Sequence, residues 1–137
     1  MQAKFTYLGA VALLFLSSCY VVVEEPYDPR NNFVGTYETE EWSTVYGGTT
    51  YYDVTISKSG YQDGRVWISN FYGIDLEVSG TVRGDEITIP NQYNGDFEVS
   101  GWGYLDNQGR LRLEFSIVEH RVFSDRYDEC DAVLYRY

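Results

Sequence analysis

The side chains of this chain that could do chemistry are two cysteines, one histidine and a surplus of carboxylates, and their spacing decides which reactions are open. His120 and Cys130 are too few, and too far from other nitrogen or sulfur ligands, for the usual zinc spacings. The carboxylates do not follow the alternating ligand pattern of a calcium loop, and the chain has no phosphate-binding glycine loop, HExxH or GxSxG. Cys130 sits among Asp128, Glu129 and Asp131, whose charge opposes the thiolate a nucleophile needs. The enzyme class nearest to fitting is a glycosidase with two carboxylates supplied by distant strands. Asp53, Glu77, Glu98 and Glu114 are strand carboxylates, but alternation puts all four opposite the apolar face. We therefore expect no enzyme, no catalytic residue, no metal and no cofactor, with a glycoside-acting enzyme as the remote alternative.

Cys19 has a different setting. One basic side chain, Lys4, precedes the apolar run Tyr7–Leu16, which is the order of a secretory leader and far short of the roughly 20 residues a membrane span needs. The run ends in Leu16-Ser17-Ser18-Cys19, which resembles the bacterial lipobox, in which the cysteine becomes the lipid-bearing first residue of the mature protein. That resemblance implies a signal peptide over 1–18 and lipid attachment at Cys19. More than one acyl chain would make the anchorage stable. Residues 19–32, with Pro26, Pro29 and several charges, are expected to form an irregular tether. The barrel domain would then be 33–137. The resemblance implies a bacterial envelope protein anchored to the outer membrane, leaving its periplasmic or surface face open.

Without the leader, 119 residues remain, enough for one domain with a real core. They carry 9 basic and 21 acidic side chains, a formal charge of −12, which repels nucleic acid. With Cys19 acylated, Cys130 has no partner for a disulfide and is expected as a small buried hydrophobe.

Period-two alternation runs through the mature chain and predicts an all-β fold. Strands are expected over Phe33–Glu41, Thr49–Ser57, Arg65–Phe71, Ile74–Val82, a short Glu86–Ile89 stopped by Pro90, Asp96–Leu105, Arg110–Val118 and Glu129–Tyr137. Gly101 and Gly103 share the inward face of the sixth, which suggests a sharp bend or a close backbone approach. A sheet of eight strands with one apolar face must roll up or split, and short sequential hairpins favour a single antiparallel, mostly up-and-down barrel over a two-sheet β-sandwich.

Gly35-Thr36-Tyr37, opening the first strand, resembles the G-x-W start of lipocalin-type barrels, with Tyr in place of Trp. The resemblance implies that Tyr37 packs across a closed barrel end beneath a late basic side chain, for which Arg136 is the candidate placed in a strand. The combination of lipobox, acidic tether and the "V-x-G-x-x-x-G-D-x-I-x-I-P" and "V-x-G-x-G-x-L" stretches also resembles small lipoproteins of Bacteroidetes-type bacteria. It brings no catalytic or binding residue with it.

Trp42, Trp67, Tyr72, Tyr93, Trp102 and Tyr104 form a surplus of aromatic side chains at outward or loop positions, suited to a ligand or protein contact surface. The expected function is a membrane-anchored structural or protein-interaction module whose partner is an envelope protein. The alternative is a lipocalin-like carrier holding a small hydrophobic ligand inside the barrel.

Overall fold

The computed structural model describes residues 19–61 and 63–137; the expected signal segment, 1–18, lies outside them. Eight strands follow one another, β1 (Gly35–Ser43), β2 (Gly48–Lys58), β3 (Arg65–Phe71), β4 (Leu76–Arg83), β5 (Glu86–Asn94), β6 (Phe97–Leu105), β7 (Leu111–Glu119) and β8 (Arg126–Arg136). Each pairs antiparallel with its sequence neighbours, and β8 pairs with β1, closing an up-and-down barrel of a shape compatible with a lipocalin-like fold. No helix among the described residues is long and apolar enough to cross a membrane.

Alternation fills the interior. Tyr37, Ile56, Val66, Ile68, Val78, Ile87, Ile89, Val99, Leu111 and Leu134 are all buried to within a few per cent, and Phe71 and Phe115 pack ring to ring at 4.6 Å. The glycines of β6 make room for them. A Cβ at Gly101 would stand 2.7 Å from Phe115 Cβ, and one at Gly103 would stand 2.9 Å from Leu113 Cδ1. The two glycines thus let β6 and β7 approach closely while bulky side chains from β7 occupy the space inside.

At the end of the barrel where the chain enters, one turn of 3-10 helix (Pro29–Asn32) delivers Phe33 as a fully buried plug. Asp28 caps it, accepting from the Arg30 amide at 3.0 Å. The buried Arg30 guanidinium donates to the Ser59 and Tyr61 carbonyls of the β2–β3 connection at 3.2 and 2.9 Å and to the Arg65 carbonyl at the start of β3 at 3.1 Å. The irregular tether therefore ends at Asp28, where the 3-10 turn begins and Arg30 is fixed to the barrel. Tyr37 Oη donates to the Phe33 carbonyl at 2.6 Å and accepts from Arg136 Nη2 at 2.8 Å, with the guanidinium 5.3 Å from the ring centre. Gly35 has φ +150°, and a Cβ there would stand 3.3 Å from Arg136 Nε.

Several boundaries differ from the sequence reading. The first strand begins at Gly35 and runs to Ser43, Phe33 having become the plug, and the last begins at Arg126. Ile74 is exposed in a turn rather than inward, because Tyr72, Gly73 and Asp75 all have φ near +60° and the strand starts only at Leu76. Pro90 does not stop β5. The pairing with β6 shifts register between Ile89 and Gln92, which tolerates the missing amide donor. On the other side the β4–β5 ladder ends at Thr81↔Thr88, and two side-chain amides continue the stitching. Gln92 accepts from the Ser79 amide and donates to the Ser79 carbonyl, both at 2.8 Å, and Asn94 donates to the Glu77 carbonyl at 2.8 Å.

Candidate functional site

The registers of four consecutive strands assemble the outward aromatics of β1 and β6 into a groove. Trp42 lies opposite Asp131, Asp131 opposite Glu114, and Glu114 opposite Trp102, forming one row across β1, β8, β7 and β6. The adjacent row is Glu40, Val133, Arg112 and Tyr104. These residues, with Thr49 from β2, line a concave space of about 350 Å³ on the outer wall. The two tryptophans stand three strand spacings of ~4.8 Å apart, about 14 Å. Both are nearly half exposed, at 46% and 42%, and Trp102 packs against Tyr104 with ring centres 5.5 Å apart. A second concavity, of about 410 Å³, is lined by Thr81, Arg83, Glu86 and Thr88 on β4 and β5, also outside the barrel.

Of the six aromatic candidates, the structure brings together Trp42, Trp102 and Tyr104. Trp67 points outward from β3, away from the groove. Tyr93 stacks on His120, 6.1 Å between ring centres, at the end of the barrel that carries the β7–β8 loop. His120 is held there between Glu98 and Asp125, with both ring nitrogens 3.1 Å from a carboxylate oxygen. The Glu98 and Asp125 carboxylates favour the imidazolium and raise its pKa above the ordinary value. Tyr72 turns inward, half-buried, and its hydroxyl bonds Asp128. Cys19 is exposed at the start of the described chain, and Cys130 is buried.

Asp53, Glu77, Glu98 and Glu114 do point outward, but sequence reasoning missed two carboxylates inside. Along β1 the inward positions are Tyr37, Thr39, Glu41 and Ser43, and along β8 they include Asp128 and Cys130. Glu41 and Asp128 are each only 2% exposed. Burial works against ionisation of Asp128, yet four donors hold its carboxyl below the usual range: Ser43 Oγ (2.6 Å), the Tyr72 hydroxyl, the Val45 amide (3.1 Å) and Thr44 Oγ1 (3.0 Å). Asp128 thereby ties the β1–β2 and β3–β4 turns to β8. The main donor to Glu41 is the Tyr52 hydroxyl, with the Cys130 thiol a weaker second. Its burial, with the Asp128 charge adding to it, outweighs both bonds and pushes its pKa up to about 7. Burial and the same two carboxylates push the Cys130 thiol far up, so it stays protonated. Two carboxylates with separated pKa values could divide acid and base roles, but here both are sealed in packed side chains, where they organise one end of the barrel.

Among the described residues no group of three or more His, Cys, Asp or Glu is placed to hold a metal ion. Compared with known proteins, the chain matches no family model and no curated sequence.

Proposed function

We propose that this is a non-enzymatic, lipid-anchored envelope protein that works as an interaction module through the outer wall of its barrel. The observation that carries this reading is the contrast between a filled interior and an aromatic outer wall. Bulky side chains from all eight strands occupy the inside, whereas the two concavities described above lie on the outer wall, one of them beside the exposed rings of Trp42, Trp102 and Tyr104. A carrier needs the reverse, an apolar pocket of a few hundred Å³ within.

The lipobox-like Leu16–Cys19 supports the anchor, as does the resemblance to small Bacteroidetes-type lipoproteins. The exposed stretch 19–28 supplies the reach, at most about 35 Å if fully extended. Because Arg30 pins the chain to the plugged end, that end would face the membrane and the groove would stand on the flank. Photo-crosslinking in the host envelope tests the reading. A photoreactive side chain replacing Trp102 should give a discrete protein adduct, and one replacing Thr81 on the far wall should not. Adducts that are absent, or equally heterogeneous from both positions, would contradict it.

A further inference from the structure

We propose that the groove between Trp42 and Trp102 receives a basic side chain, Arg or Lys, from an extended segment of the protein partner. This rests on the interaction reading above and adds the chemistry by which the partner is recognised.

The floor of the groove is electrostatically unfinished. Glu114 and Asp131 are directly opposed across β7 and β8, an arrangement in which like charges destabilise a sheet. Among the described residues neither side chain has a hydrogen-bond or ion-pair partner, and the same holds for the side chain of Glu40 one row away. The groove's one guanidinium, Arg112, is already engaged by Asp106 in the β6–β7 turn at 3.2 Å. Three carboxylates thus share a concave space with a single guanidinium, whose Nε is turned to an Asp106 that also pairs with Arg110, so the groove keeps an excess of negative charge.

The walls suit the missing charge. Indole faces attract ammonium and guanidinium groups, and a guanidinium stacks flat on them. A side chain entering between Trp42 and Trp102 would place its charge over the Glu114–Asp131 pair and relieve their repulsion. Aromatic walls also bind sugars, but a neutral sugar would leave the carboxylates uncompensated. The chain's overall negative charge would speed the approach of a cationic partner.

The test uses the three indole N–H resonances of the full chain in neutral detergent, assigned by single Trp→Phe variants. The probe is acetyl-Gly-Arg-Gly-Arg-Gly-amide, with the citrulline analogue as control. We expect saturable shifts at Trp42 and Trp102 with Trp67 unmoved, and at least tenfold weaker binding for the citrulline peptide. E114Q/D131N should also bind at least tenfold more weakly while melting no lower than the parent, so that lost binding is not lost folding. Equal shifts at all three indoles, undiminished binding by the double variant or the citrulline peptide, or tighter saturable binding of chitotetraose would overturn the proposal. A discrete envelope adduct at Trp102 without arginine-peptide binding would sink this inference and keep the interaction reading. Peptide binding in the groove with no envelope adduct would keep the groove's preference for a basic side chain and sink the interaction reading.

Discussion

Glu41 is the residue whose behaviour departs furthest from its type. In the unfolded chain it titrates near the ordinary 4.5, and in the barrel near 7, so between those values the folded state holds the extra proton. Its contribution to stability is therefore complete below about pH 4.5 and is lost as pH rises through 7, the opposite of Asp128, whose contribution is lost on acidification. Glu41→Gln mimics the protonated acid at every pH. It should match wild type near pH 5 and be more stable at pH 8 by on the order of 2 kcal/mol. His120 also weakens the fold as it deprotonates, so the measurement is the difference between wild-type and E41Q melting curves across pH. An identical pH dependence in the two proteins would refute the buried-acid reading. Period-two alternation over the expected strand Phe33–Glu41 puts Glu41 on the face of Tyr37 and Thr39. It went unrecognised because that face of β1 carries only one apolar residue. Asp128 was equally hidden, since its four donors come from the end of β1 and from two turns whose folding no local pattern reveals.

β6 shows most clearly how an element can be specified by what it lacks. Its inward glycines were legible as a close-approach signal, and the distances explain them: a methyl at Gly101 would meet Phe115 Cβ at 2.7 Å and the Glu114 carbonyl oxygen at 2.8 Å. Neither atom is the free end of a flexible side chain, so relief requires β6 and β7 to separate. Gly101→Ala should lower stability by about 1–3 kcal/mol, a fall in Tm of roughly 4–18 °C by thermal denaturation. An unchanged Tm would mean the two strands are more loosely joined than the packing indicates. Strand existence and facing were readable because alternation is strong wherever one face is buried and the other wet. Strand ends were less readable, for reasons visible at Pro90 and Ile74. Gln92 and Asn94 replace lost ladder bonds with side-chain amides, and the positive-φ turn at 72–75 removes Ile74 from the strand it would otherwise join.

The closure of the barrel followed from counting strands, whereas the groove on its flank did not. Trp42 and Trp102 are 60 positions apart, and they flank one groove only because β8 returns to β1 and lines up four registers. Sequence alone showed aromatic side chains pointing outward, without saying which of them would be neighbours. The same closure fills the inside, and the placement of function on the outer wall depends on that filling. Native mass spectrometry of the mature protein, purified from a lipid-rich extract of its own host, is the most direct test. A barrel filled by its own side chains should fly at its bare mass, with no addition beyond the lipid proposed at Cys19, and should bind no panel of apolar fluorescent ligands. A stoichiometric small apolar molecule retained inside the barrel would contradict the account and make the protein a carrier.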